Sequence, residues 1–243
     1  MALDLNLFLL VVELILLVPT LLLIVLGRRE ERGRRSLISE LTTTAKMVSR
    51  QEYFNNVIFG MQTATLTIKG SVTGSIPKNI EQDEVVGNII EQIRMAKSRG
   101  IQVQYLLLKS HDRLPIASRY RLAGAEIAFH SSLLVSDLRY VVFDRKYVLI
   151  GLPSSVGENE PTREGYLIPS EGMAEIFLQQ FDSKWGQAIQ YDEYLTEVLL
   201  EAKNHSPNAS VSLLSTQLKV PESEVKRVLE AQASETPPSN SVR

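Results

Sequence analysis

The side chains best suited to chemistry lie around residues 137 to 164. Arg139 and Asp144 flank a predicted strand, and Asp137 precedes the arginine by two positions. An arginine guanidinium can hold a phosphate or a carboxylate through two parallel hydrogen bonds. Asp137 and Arg139 also suit a plain ion pair at the edge of a hairpin, which would stabilise the fold by about 0 to 1 kcal/mol at an exposed position. The spacing therefore leaves an anion-binding role and a structural role open.

The composition argues against several kinds of site. The chain of 243 residues has no cysteine and three histidines, so we expect no disulfide framework, no thiol chemistry and no histidine-rich metal centre. No cofactor is predicted. A net charge of −2 gives the chain no overall attraction for nucleic acid.

The elements that must position Arg139 begin with a strand, a helix and a second strand. Residues 64–68 alternate and are rich in β-branched side chains, and residues 101–108 form an apolar run typical of a buried strand. Residues 82–99 carry apolar side chains at helical spacing, and Gly100 follows as the residue expected just past a helix. This order predicts parallel pairing through a right-handed crossover. The predicted fold class is α/β.

The same pattern continues to residue 189 and includes a hairpin that carries Arg139. The predicted elements are a helix at 116–123, strands at 125–129 and 133–135, hairpin strands at 139–143 and 147–150 joined by Asp144-Arg145-Lys146, a strand at 166–168 and an amphipathic helix at 172–189. Before them, apolar residues at helical spacing predict a helix over 37–59.

This succession resembles one half of the phospholipase D superfamily over residues 50–188. The resemblance rests on AKSRGIQVQYLLL, RLAGAEI and YVVFDRKYVLIG, followed by a strand that starts at Glu164 and by FDSKW. It implies a phospholipase D-like α/β/α sandwich.

The family's signature is His-x-Lys, four residues, Asp, six residues and Gly-Ser-x-x-Asn. With Asp144 and Gly151 in register, Asp137 stands at the histidine position and Arg139 at the lysine position. In the family the histidine attacks phosphorus and the lysine holds phosphate oxygens. A carboxylate is a poor nucleophile toward a phosphodiester and repels its charge, whereas arginine keeps the cation. We therefore expect a domain without catalysis.

A second register places His130 at the histidine position and Asp137 at the aspartate position. It keeps two catalytic residue types and makes His130 and Asp137 the alternative catalytic pair. It lacks the lysine, and Asp144 stands where the family has glycine.

The resemblance implies a ligand site and a dimer. The predicted ligand-binding residues are Asp137, Arg139, Asp144, Ser154, Ser155 and Glu164. A chain with one half of the family's paired site would complete it only with a second copy, so a homodimer is expected. Members of the family without catalysis use this cleft for binding, which implies a phosphate-bearing or sugar ligand.

The N-terminal region is predicted to be a membrane anchor. Residues 5–26 form a nearly unbroken apolar run, long enough to cross a hydrocarbon core about 30 Å thick. Residues 27–49 are the predicted juxtamembrane basic segment and linker helix, and the five arginines directly after the run predict an external N-terminus and a cytoplasmic soluble domain. Glu13 within the run predicts packing against a second copy or another membrane protein.

Residues 191–233 predict a small tri-helical module that resembles the helix-turn-helix core of winged-helix regulators. Its third helix begins with Glu222-Ser-Glu224, which would face DNA phosphates with the wrong sign. Nucleic acid is therefore not an expected partner, and a protein-docking or structural role is favoured. Residues 234–243 are rich in Pro and Ser and are predicted to be disordered.

Three functions remain open from the sequence. The favoured one is a membrane-anchored cytoplasmic protein whose non-catalytic phospholipase D-like domain serves ligand binding, scaffolding or regulation. The alternatives are a dimeric phosphodiesterase acting on phospholipid or nucleic acid and a membrane-bound transcription regulator.

Overall fold

The computed structural model describes residues 45–77, 79–133, 138–153 and 162–235. Several predicted features lie outside these residues: the apolar run at 5–26 with Glu13, the arginine-rich segment to residue 44, the site residues Asp137, Ser154 and Ser155, and the tail from residue 236.

Strands and helices alternate along most of the described chain. The strands are β1 (Lys46–Ser49), β2 (Thr67–Ser71), β3 (Gln102–Leu108), β4 (Glu126–His130), β5 (Arg139–Phe143), β6 (Tyr147–Pro153), β7 (Thr162–Ile168) and β8 (Ile189–Gln190). The helices are α1 (Arg50–Thr63), α2 (Ile80–Ser98), α3 (Leu114–Leu122), α4 (Glu171–Trp185), α5 (Tyr191–His205), α6 (Val211–Leu218) and α7 (Glu222–Glu235).

All eight described strands form one mixed sheet in the order β1-β7-β6-β5-β2-β3-β4-β8. Strands β2, β3 and β4 are parallel, as the strand, helix, strand order predicts, and the other pairs are antiparallel. Gly100 ends α2 with a φ of +79°, a conformation that glycine adopts without a steric penalty. The predicted α/β class is correct for this part of the chain.

Helices cover both faces of the sheet. On one face, Phe177 of α4 packs on Tyr140 of β5 with ring centroids 4.7 Å apart, and Asp182 of α4 binds Lys69 of β2 at 2.7 Å. Side chains of a strand alternate between faces, so Arg139 and Val141 point to the opposite face from Tyr140. On that opposite face lie α1 and α2, whose buried residues include Val57 and Ile93.

The predicted helix over 37–59 is correct over residues 50–59 and wrong over residues 46–49. Residues Lys46–Ser49 form β1, which pairs antiparallel with β7, and the helix starts only at Arg50. The reason is a capping box: the Ser49 hydroxyl accepts from the Glu52 N–H, and the Glu52 carboxylate accepts from the Ser49 N–H at 2.9 Å. The predicted strand at 133–135 is also not present at Leu133, because β4 ends at His130.

The predicted fold class needs a correction in its membrane-spanning part. Among residues 45–77, 79–133, 138–153 and 162–235, no helix combines the length and the apolar character that crossing a bilayer requires.

Three helices follow the sheet where the sequence predicts them, and an ion cluster ties two of them, α5 and α7, to α3. Arg121 of α3 donates to Glu224 of α7 at 2.9 Å and to Asp192 of α5 at 3.2 Å. Arg227 of α7 donates to the same two carboxylates, at 2.6 Å to Asp192 and 3.3 Å to Glu224. Helix α7 also includes Ser234 and Glu235, which were predicted to be disordered.

Candidate functional site

A cavity of about 260 Å³ lies between the sheet and helices α1 and α2. Much of its wall is apolar, and the aliphatic part comes from Val57, Val72, Val85, Val86, Ile89 and Val141. Ligand sites typically combine such apolar walls with a few polar groups that fix orientation. This cavity is therefore the candidate site.

Arg139 lines the cavity from the first position of β5. Its side chain is buried, with 4% of the residue exposed, and its Nη1 donates to the Thr162 hydroxyl at 3.0 Å. Burying a guanidinium is costly unless its donors find acceptors. The site thus contains a buried cation next to apolar side chains.

Two glycines make room for the aromatic ring beside Arg139. Gly151 of β6 stands opposite Arg139, and Gly165 of β7 stands opposite Gly151. A Cβ at Gly151 would lie 3.0 Å from Cζ of Tyr53, and one at Gly165 would lie 2.6 Å from Cδ2 of Tyr53. Gly151, which set the register of the family signature, therefore lets Tyr53 pack against the sheet next to Arg139.

Three tyrosines supply neutral phenols to the cavity wall. Burial raises the pKa of Tyr53 to about 12, although the nearby Arg139 charge acts in the opposite direction. Burial also raises the pKa of Tyr120 to about 12 and that of Tyr105 further still. These phenols keep their protons at neutral pH and do not oppose an anion.

The cavity wall also includes a second arginine and a loop. Arg50, at the start of α1, places its guanidinium 5.9 Å from the centroid of the Phe54 ring. The loop that begins after β2 is held by Arg113, which donates to the Ser75 hydroxyl at 2.7 Å. Among the described lining residues there are two arginines and no carboxylate.

Asp144 lies at the other end of β5 from Arg139, about 16 Å away along an extended strand. Its carboxylate accepts from the N–H groups of Thr65, Leu66 and Thr67 at 2.7 to 3.0 Å and from the Thr65 hydroxyl at 2.9 Å. Burial alone would raise the pKa of Asp144, but the three backbone donors outweigh it and lower the pKa. The structure thus separates these two predicted site residues and uses Asp144 to fix the hairpin.

His130, the alternative nucleophile, is also apart from Arg139. It ends β4, three strand positions from β5 and about 14 Å away at the usual spacing between strands. Its Nδ1 accepts a hydrogen bond from the Ser132 N–H at 2.9 Å. A neutral ring with Nδ1 as the acceptor carries its proton on Nε2, so Nε2 has no free lone pair for attack.

Glu164 does not join the cavity either. It follows the alternation of β7 and points to the opposite face from Gly165, which lies on the Arg139 side. Arg139 is therefore the one predicted site residue that the described chain places in the cavity.

The sequence interpretation missed Arg50, Tyr53, Tyr105, Tyr120 and Thr162. They come from α1, β3, α3 and β7, and no spacing along the chain links them. Within the described chain, no group of three or more His, Cys, Asp or Glu side chains is arranged to hold a metal ion.

No protein-family model and no curated protein matches the sequence. Among solved structures the chain is similar to Nuc, a phospholipase D family member from Salmonella typhimurium, with a TM-score of 0.47 and 15% identity over 61% of this chain and 97% of that one. It is similar to NucT from Helicobacter pylori, with a TM-score of 0.46 and 15% identity over 60% of this chain and 98% of that one. It is also similar to the archaeal chromatin protein TrmBL2, with a TM-score of 0.43 and 16% identity over 67% of this chain and 63% of that one.

Proposed function

We propose that this protein binds a small anionic ligand in the cavity that Arg139 lines, without catalysing phosphodiester hydrolysis. The observation that carries the proposal is a nearly fully buried guanidinium in a cavity with a largely apolar wall. In such a low-dielectric enclosure a charge-assisted hydrogen bond to an oxyanion is stronger than at the surface. Arg50 adds a second positive charge to the same wall.

The chemistry of His130 supports the non-catalytic part of the proposal. Attack on phosphorus needs a free imidazole nitrogen next to a cation that holds the phosphate. The Ser132 N–H occupies Nδ1, and Arg139 lies three strands away. These groups do not form one reaction centre.

The purified full-length protein is expected not to hydrolyse bis-p-nitrophenyl phosphate above the rate of the buffer. Release of p-nitrophenolate, followed by absorbance from pH 5 to 9, measures the reaction. The His130→Ala variant serves as the control for contaminating nuclease. Turnover by the wild type that disappears in His130→Ala would contradict the proposal.

Anion binding is expected to depend on Arg139. A panel of phenyl phosphate, glucose 6-phosphate, butyl phosphate and hexanoate is titrated into the protein by isothermal calorimetry. We expect at least one saturable ligand, and about 30-fold weaker binding in Arg139→Ala because a charge-assisted hydrogen bond is lost. Arg145→Ala is the matched control, because Arg145 is exposed on the β5–β6 turn and pairs with Glu175 there.

A second variant separates loss of the charge from loss of folding. Val86→Trp fills the cavity from the half-buried start of α2 and leaves Arg139 in place. It is expected to abolish binding while the melting temperature changes little. The proposal is wrong if no panel member binds to the wild type. It is also wrong if ligands bind to Arg139→Ala and Val86→Trp as tightly as to the wild type.

The ion cluster supports a structural use of the C-terminal helices over DNA reading in this proposal. Of the basic residues that a recognition helix would present, Arg227 is bound by Asp192 and Glu224, and Lys226 lies 3.8 Å from Glu230. Association into a homodimer stays a prediction from the sequence.

A further inference from the structure

We infer that the ligand of this cavity is a small amphipathic organic oxyanion, with its anionic group at Arg139 and an aliphatic body between α1 and α2. The inference rests on the proposed function and adds the chemical class of the ligand. A phosphate monoester and a carboxylate share the chemistry that Arg139 recognises.

The apolar half of the ligand follows from the way helix α2 is packed. The second half of its apolar stripe is sealed in the core, with Ile90, Ile93 and Ala96 all at most 6% exposed. The first half continues the stripe with Val85, Val86 and Ile89, which are only half-buried and line the cavity. A ligand with a hydrocarbon body would complete the burial of this stripe.

The aliphatic part of the wall disfavours a polar ligand body such as a sugar or glycerol. Val57, Val86, Ile89 and Val141 offer no hydrogen-bonding atom, and a hydroxyl buried against them loses its bonds to water without replacement. The polar side chains of the wall include Arg139 with Thr162 on β5 and β7, Ser75 in the loop, and the three tyrosines described above. The aliphatic side chains of α1, α2 and β5 thus form the part of the wall against which the hydrocarbon body of the ligand would lie.

The volume limits the size of the ligand. About 260 Å³ lies just below the roughly 300 to 1,000 Å³ of typical small-molecule pockets. We therefore expect a small ligand, of the size of butyl phosphate or hexanoate.

Binding affinity is therefore expected to follow chain length among the alkyl phosphates. The probes are inorganic phosphate, methyl phosphate, butyl phosphate and glycerol 3-phosphate, each titrated into the full-length protein by calorimetry. Each buried methylene should tighten binding about fourfold. Butyl phosphate should bind at least 10-fold more tightly than glycerol 3-phosphate, although the two have similar size and the same head group. A parallel series of butyrate and hexanoate distinguishes a carboxylate head from a phosphate head.

Val86→Ser is expected to reduce the gain per methylene and to leave the affinity for inorganic phosphate unchanged. Leu122→Ser is the matched control, because Leu122 is 51% exposed on α3 and does not line the cavity. It should leave the whole series unchanged.

The outcomes separate this inference from the proposed function. Glycerol 3-phosphate that binds as tightly as butyl phosphate, and still depends on Arg139, would overturn the amphipathic ligand and leave anion binding intact. Failure of all these probes and of the wider panel would overturn both. Chain-length dependence that survives in Val86→Ser but is lost in Leu122→Ser would place the aliphatic body outside the cavity and overturn the inference.

Discussion

Replacing Asp144 by alanine is expected to lower the free energy of unfolding by about 2 to 3 kcal/mol, because hydrogen bonds to a carboxylate contribute more than neutral ones. The carboxylate binds three consecutive N–H groups and one hydroxyl of residues 65–67, the segment that enters β2. Asp144 also has a φ of +51°, which alanine adopts less readily than aspartate. Urea unfolding of the purified variant, followed by circular dichroism, measures the loss.

The pH dependence provides an independent check on Asp144. Its pKa in the folded protein is lowered, so its contribution to stability is fully present above the unfolded pKa of about 3.9. The contribution is lost as the pH falls through the folded value. The stability difference between wild type and Asp144→Ala should therefore be constant from pH 5 to 8 and shrink in stronger acid.

Two matched variants decide whether the carboxylate is responsible. Asp144→Asn tolerates the same backbone conformation and keeps one acceptor oxygen, so we expect about half of the alanine effect. Arg145→Ala shares the turn and a φ of +59° but removes only an exposed ion pair, and should change stability by less than about 1 kcal/mol. An equal loss in Asp144→Ala and Arg145→Ala would contradict this account.

Glu224→Ala is expected to destabilise the protein by about 2 to 3 kcal/mol. Glu224 is 4% exposed and accepts from Arg121 and Arg227, so its removal leaves two guanidinium groups with an acceptor missing. Breaking a fully buried pair costs about 3 to 5 kcal/mol, and the partial exposure of both arginines reduces the loss here. Chemical unfolding measures it, with Lys226→Ala as the control on the exposed face of the same helix.

Acid is expected to weaken the contribution of this ion cluster to the stability of the fold. Burial alone would raise the pKa of Asp192, but the hydrogen bond from Arg227 and the charge of Arg121 outweigh it and lower the pKa. Asp192 therefore stabilises the fold above its unfolded pKa of about 3.9, and this contribution is lost as the pH falls through the lower folded value. In Arg227→Met the acid dependence should be weaker. If Glu224→Ala and Lys226→Ala unfold at the same urea concentration, the cluster does not hold helix α7 in place.

The sequence by itself determined the elements whose signals are local. The stripe from Val85 to Ala96 and the glycine at position 100 predict helix α2 and its end, and the structure has the helix over Ile80–Ser98. The apolar run at 101–108 became β3, and the Asp144-Arg145-Lys146 turn joined β5 to β6 as predicted. Periodicity and capping act between residues a few positions apart, so one sequence suffices to read them. Residues 46–49 are an exception. Their helical spacing predicts a helix, but they form a strand because they pair with β7.

The candidate site was decided by the tertiary structure. Arg139 and Asp144 are close in sequence and carry the resemblance, yet the extended strand between them places them at opposite ends of β5. Tyr53, Tyr105 and Thr162 are far apart in sequence and line one cavity with Arg139, because the sheet order brings β7, β6, β5, β2 and β3 side by side beneath α1. Which distant residues share a cavity depends on strand order, register and face. Those relations arise from packing of the whole domain, so local pattern along the chain does not contain them.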